Sequence, residues 1–235
     1  MITASDIFTI SSQKQFEKIA LKVFRFQYEN NMVYQEFCDL LKTNPQQVKS
    51  LHQIPFLPIQ FFKSHNIVSN GEPIQTTFTS SGTTGAITSR HLVTDVSLYE
   101  ESYRKGFSQF YGNIEDYVVL ALLPSYLERE GSSLIHMVDD LIQLTNNSNS
   151  GFYLNNHEEL IQKLIELDKE GQNVILIGVT YALLYLIEKR TFQLQHTIIM
   201  ETGGMKGKRK EMIREELHEQ LCSGFGVTAI HSEYG

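Results

Sequence analysis

Two apolar runs limit what this chain can fold into: VVLALL at 118–123 and VILIGV at 174–179. Neither alternates polar with apolar residues, so each predicts a strand covered on both faces rather than one with a wet side. Strands of that kind belong inside a sheet layered between helices. The surrounding sequence keeps the same grammar. Val96, Tyr99, Tyr103, Phe107 and Phe110 fall near helical spacing and predict a helix over about 95–111. Further helices are expected over about 132–145 and 156–170, then at YALLYLIEKR (181–190) and GKRKEMIREELHEQL (207–221). Strands are expected at TTFTSS (76–81), SRHLVT (89–94), GFYL (151–154), HTIIME (196–201) and VTAIHS (227–232). The fold class read from this is α/β, a mostly parallel or mixed sheet with helices on both faces.

A helical N-terminal segment, 1–75, is expected to pack on that core, which occupies 76–235. Ser12 and Gln15 make a capping box ahead of Phe16, Ile19, Ala20, Val23 and Phe24. A second helix from about Asn31 would turn Val33, Phe37, Leu40 and Leu41 inward and stop before Asn44-Pro45. Pro55 and Pro58 then force extended backbone through IPFLPIQFF, an aromatic-rich loop or strand over the core.

Charge and composition remove several function classes. The formal net charge of −7 argues against coating a nucleic acid. The longest apolar run is far too short to span a bilayer, and the first residues lack the basic start and apolar centre of a signal peptide. Two distant cysteines, Cys38 and Cys222, read as packed reduced thiols of a cytoplasmic protein. No His/Cys/Asp set has zinc spacing and no GxSxG elbow occurs.

Chemistry concentrates in TSSGTTG at 79–85, a run with closely spaced backbone N–H groups, hydroxyls and no acid. Such a run suits a phosphate, though taken alone it reads equally as a flexible polar turn. It is not a Walker A loop, because Ala86 stands where that motif needs lysine. Three other stretches follow predicted strands, where doubly wound sheets bind ligands: LPSYLEREGSS, ETGGMKG and SEYG.

Thr79-Ser80-Ser81-Gly82-Thr83-Thr84-Gly85 resembles the phosphate loop of adenylate-forming enzymes, the acyl-CoA synthetase and luciferase superfamily. The usual Pro-Lys after it is replaced by Ile87-Thr88, as in the subgroup of phenylacetate-CoA ligase and bacterial acyl-protein synthetase. IPFLPIQFFKSHNIVS, TFTSSGTTG, LPSYLEREGSSLIHMV, ETGGMKGKRKE and SEYG occur in the order of the acyl-protein synthetase family, from about residue 50 to the last. The resemblance implies the large N-terminal domain of such an enzyme. It implies that Ser80, Ser81, Gly82, Thr83, Thr84 and Gly85 hold ATP phosphates, and that Gly203, Gly204, Met205, Tyr234 and Gly235 line the adenine pocket. The magnesium-binding glutamate, the ribose-binding aspartate and the small C-terminal domain would follow Gly235, so the chain reads as an N-terminal portion.

The implied reaction joins a carboxylic acid, a fatty acid by family, to AMP from ATP with Mg²⁺, then passes the acyl group to a thiol of CoA or a protein cysteine. Tyr181, Leu183, Leu184 and Tyr185 are candidate walls of an acyl pocket. Two other readings stay open: a nucleotide- or acyl-binding module without catalysis, and an interaction subunit. Arg90 could reach a phosphate, but an exposed strand arginine reads more simply. Lys206, Lys208, Arg209 and Lys210 read as a solvated face beside Glu211, Glu215 and Glu216, and His136 as structural. Glu128, Arg129 and Glu130 stand near the expected acyl pocket.

Overall fold

The computed structural model describes residues 2–69, 71–80, 88–123, 131–154, 156–205, 209 and 212–233. The chain divides into two compact units, Met1–Tyr103 and Arg104–Gly235.

The first unit opens with helices α1 (Ala4–Phe8), α2 (Gln13–Asn30) and α3 (Met32–Leu40). Ser12 caps α2, its hydroxyl accepting the Gln15 N–H at 3.3 Å. The reciprocal bond runs one residue further back than expected, from the Ser11 N–H to Gln15 Oε1 at 2.8 Å. Asn31 ends α2 and caps α3, where its side chain accepts the Tyr34 N–H at 3.2 Å. Phe24, Tyr34, Cys38 and Val48 form the core of this unit. The inward face of α3 is therefore Tyr34 and Cys38, with the expected Phe37 packed against that core, while the expected Leu40 and Leu41 are exposed. That face overlaps the one the apolar pattern predicts at Phe37 and departs from it at the leucines.

The proline-rich segment holds only a short turn, Leu51–Gln53, and the brief helix α4 (Phe61–Ser64). The Tyr34 hydroxyl donates to the Pro55 carbonyl at 2.6 Å and ties the segment to the core. Phe56 and Ile59 point to solvent. Strands β1 (Thr76–Thr79) and β2 (Arg90–Val93) pair antiparallel, Thr76 opposite Val93 and Thr79 opposite Arg90. The serine- and threonine-rich run thus joins two strands of a separate hairpin, not the carboxyl end of a strand in the main sheet. Its length explains this, since a parallel return needs a crossover of roughly a dozen residues or more. Helix α5 (Val96–Tyr111) leads into the second unit.

That unit alternates β3 (Val118–Leu122), α6 (Ser133–Leu144), β4 (Gly151–Tyr153), α7 (His157–Lys169), β5 (Val174–Gly178), α8 (Thr180–Lys189), β6 (Thr197–Glu201), α9 (Arg214–Phe225) and β7 (Ile230–Ser232). The strands form one parallel sheet in the order β4-β3-β5-β6-β7. Right-handed crossovers put α6, the only leftward connection, on one face and α7, α8 and α9 on the other. Packing agrees. Val118, Leu120 and Leu122 share a core with Leu164, Leu183 and Leu221, while α6 buries Leu134, Met137, Val138 and Leu141 and packs on β3. Every residue of β3 and β5 is buried. Each fully buried leucine contributes roughly 1.5–3 kcal/mol.

Helix α9 starts at Arg214, later than the charged run suggested, because Met212 and Ile213 are not helical. Gly178 ends β5 where α8 crosses closely: a Cβ there would lie 2.8 Å from Leu183 Cδ2 and 3.4 Å from the Leu122 carbonyl oxygen.

Candidate functional site

In the first unit the hairpin is closed at its neck. The Ser80 N–H donates to the Ser89 carbonyl at 3.1 Å, and Ser80 Oγ accepts the Ser89 N–H at 3.0 Å. The pair fixes the two ends of the glycine run through neutral groups, and accepting that bond leaves the serine hydroxyl its own proton to donate. Ser81, Gly82, Thr83, Thr84 and Gly85 lie outside the described residues. Arg90 donates to Asn66 Oδ1 at 2.9 Å, and His91 stacks on Phe62 with ring centroids 4.4 Å apart.

In the second unit the stretches singled out after β3, β6 and β7 all follow carboxyl ends of the parallel sheet, as expected for ligand contacts. Strand order reverses between β3 and β5, which marks a switch point beside Gly178. Pro124 through Glu130, with Glu128 and Arg129, lie outside the described residues, as do Lys206, Lys208, Lys210, Tyr234 and Gly235.

After β6 the backbone turns through Gly203 at φ +75° and Gly204 at φ +89°. This left-handed region costs glycine little and other residues more, so the two glycines make the turn without side chains over their peptide groups. Met205 returns at once to the core, 2% exposed.

Glu201 closes β6 and is only 4% exposed. Its carboxylate accepts the Gly203 N–H at 2.7 Å, the Ser232 hydroxyl at 2.7 Å and the Thr180 hydroxyl at 3.2 Å. Burial would raise its pKa, but the bonds from Ser232, Gly203 and Thr180, with His218 nearby, outweigh it and hold the carboxyl below its ordinary 4.5. His218 Nε2 stands 3.6 Å from Glu201 Oε1, too far for a hydrogen bond. It and Thr202 Oγ1 are buried without a hydrogen-bond partner among the described residues. Beyond β7, burial pushes the Glu233 carboxyl up. The Tyr111 hydroxyl meets His231 Nδ1 at 2.8 Å. Burial, then the Glu233 charge, raises the Tyr111 pKa.

Other expected residues have structural employment. Leu183 and Leu184 are core side chains, at 0% and 1% exposure, and do not wall an open pocket. Tyr185 packs against His157 and Lys189. Arg209 grips Glu188 of α8 with bonds of 2.5 and 2.6 Å, a partner the spacing of nearby glutamates did not suggest. His136 is half-buried. Cys38 and Cys222 have pKa values raised by burial, as packed thiols should. Among the described residues no group of three or more His, Cys, Asp or Glu could hold a metal, and no helix is long and apolar enough to cross a membrane.

Glu201, Thr180, Ser232 and His218 were not anticipated. The available signal was an acid ending the apolar run HTIIME at the carboxyl edge of the sheet, with hydroxyl residues near two neighbouring strand ends.

Residues 1–233 match the family described as Acyl-protein synthetase, LuxE. The long-chain-fatty-acid–luciferin-component ligase of Vibrio harveyi is 24% identical over 233 residues, covering 92% of this chain and 60% of that ligase. The chain thus spans about 60% of the length of this relative. Among solved structures, 2-hydroxyisobutyryl-CoA ligase in complex with 2-HIB-AMP and CoA is similar with a TM-score of 0.59. It is 15% identical, and the likeness covers 92% of this chain and 48% of that one, a likeness of fold. Matched along almost its whole length, the chain belongs to the acyl-protein synthetase (LuxE) family.

Proposed function

We propose that this chain forms the nucleotide- and acyl-handling part of an enzyme that activates a carboxylic acid, a fatty acid by kinship, with ATP. The acid's carboxylate attacks the α-phosphate, giving acyl-adenylate and pyrophosphate, and the acyl group then passes to a thiol of CoA or a protein cysteine. The observation that carries this reading is the family match over residues 1–233. The closed hairpin neck and the two-glycine turn after β6 stand at the two motifs that resemble the family's nucleotide contacts.

In this reading Ser80, Ser81, Gly82, Thr83, Thr84 and Gly85 hold the β- and γ-phosphates through N–H and O–H donors aimed before the reaction starts. Gly203, Gly204, Tyr234 and Gly235 hold adenine, with Met205 anchoring the glycine turn in the core. The bare peptide groups of the glycine turn, with the orphaned Thr202 hydroxyl beside them, fit a flat polar base. Mg²⁺ would ride on the phosphates, consistent with its habit of binding few protein carboxylates, and would supply charge neutralisation there. Few widely separated cysteines support a cytoplasmic protein.

Calorimetry with a non-hydrolysable acyl-adenylate analogue tests the reading, with Ser81→Ala and Gly82→Val alongside. Micromolar binding weakened by both changes is expected, together with carboxylate-dependent pyrophosphate exchange. Binding without exchange would favour a non-catalytic module. No binding, either to this chain or to one extended past the Tyr234 motif, would overturn adenylation.

A further inference from the structure

Glu201 touches the chain within one motif segment proposed to hold the base, Gly203–Met205, and just before the other, Tyr234-Gly235. Glu201 binds the Gly203 N–H at 2.7 Å, inside the first segment, and the Ser232 hydroxyl at 2.7 Å, two residues before the second. Its own carbonyl accepts the Glu233 N–H at 2.8 Å. The remaining arm reaches Thr180, the first residue of α8, so ends of three neighbouring segments share one carboxylate.

A carboxylate is acceptor-only, and its ionised form is costly to bury without a close cation. Here the polar partners within hydrogen-bond distance are neutral donors, and the imidazole of His218 stops at 3.6 Å. His218 Nε2, and Thr202 Oγ1 on the residue after Glu201, are buried without a hydrogen-bond partner among the described residues. Native structures leave few such atoms, so they mark a place where another polar group completes the set.

A matched carboxylate sits at the opposite end of the same strand. Asp168, 8% exposed, accepts the N–H groups of Gln195 and His196 and the Thr197 hydroxyl at the start of β6. It fastens the amino end of the strand, where no ligand is expected.

We propose that Glu201 is a positioning residue, holding the glycine turn after β6 and the end of β7 at the separation that selects adenine. This rests on the adenylating reading above. Such an arrangement needs acceptors on both oxygens with short, charge-assisted bonds, which a neutral amide cannot supply.

The test is calorimetry on the full chain with ATP, GTP and inorganic tripolyphosphate. Glu201→Gln is expected to weaken ATP binding roughly tenfold and to reduce the ATP-to-GTP preference by a similar factor. Tripolyphosphate affinity should not change. Ser232→Ala, which removes one arm only, should show the same pattern at roughly threefold. Asp168→Asn should lower the melting temperature yet keep the parent's ATP-to-GTP ratio, and Glu201→Asp should recover part of the preference. If Glu201→Gln does not fold, Ser232→Ala decides. A parental ratio in Ser232→Ala, and in Glu201→Gln where it folds, overturns the assignment and leaves the adenylating reading standing. A parent chain that binds no ATP overturns both.

Discussion

The first unit is held by hydrogen bonds around a small aromatic core, the second by an aliphatic core around a parallel sheet. In the first, Phe24, Tyr34, Cys38 and Val48 are the buried centre. Much of the rest is secured by side chains that satisfy backbone groups: Ser12, Asn31, Tyr34 and Ser80. In the second, β3 and β5 are buried at every position and the core continues through three helices. Burial is non-directional and tolerates no gaps, whereas each capping bond is local and modest. The contrast suits a unit that carries a polar hairpin and a unit that must hold strand ends in fixed register.

The largest effect that would sharpen the comparison is Leu176→Ala. Leu176 is fully buried in β5, and truncation should cost about 4 kcal/mol, read as a lower urea midpoint and faster amide exchange within 104–235. A loss below about 1 kcal/mol would contradict a close-packed sheet.

Next is acid. The Glu201 carboxyl is held below its ordinary 4.5, so its contribution is present above that pH and is lost as the pH falls through the folded value. Glu233 runs the other way, since its raised pKa costs stability as the pH climbs above 4.5. Comparing parent with Glu201→Gln cancels the Glu233 part. The stability gap, about 2 kcal/mol at neutral pH, should narrow as the pH drops below 4.5. A gap constant down to strong acid would mean that the carboxylate charge does nothing.

Smaller effects are expected in the first unit. Tyr34→Phe removes the bond to the Pro55 carbonyl and should cost about 1 kcal/mol, with faster exchange confined to the first unit. Ser80→Ala should cost about 0.5–1 kcal/mol and broaden amide signals near Ser89. If either matched the Leu176 effect, the contrast between the units would fail.

The sequence made these regions legible to different degrees for the same physical reason. Continuous runs such as VVLALL and VILIG state their own burial, and the strands and helices around them fall close to where spacing puts them. The hairpin was visible as two strands, but its membership was not, because propensity says nothing about which sheet a strand joins. The face of α3 was read correctly at Phe37 and wrongly at Leu40 and Leu41. Leucines near a helix end look inward by composition, yet Tyr34 and Cys38 meet the core. Of the Glu201 cluster only the acid at the strand end was legible, since Thr180 and Ser232 are 21 and 31 residues away and only the strand order brings them to it. The two glycines after β6 were found through family resemblance rather than pattern.

Gly178 carries one more consequence. Leu183 lies where a methyl group would be, and the carbonyl of Leu122 stands just beyond it. The approach of α8 to the end of β5 is therefore gauged by an atom that is not there. Gly178→Ala would act as a shim: the Leu183 side chain must give way first, and the start of α8 would ride slightly higher over the strand. That closeness is tolerance in the machinist's sense, a clearance set by the thickness of a part.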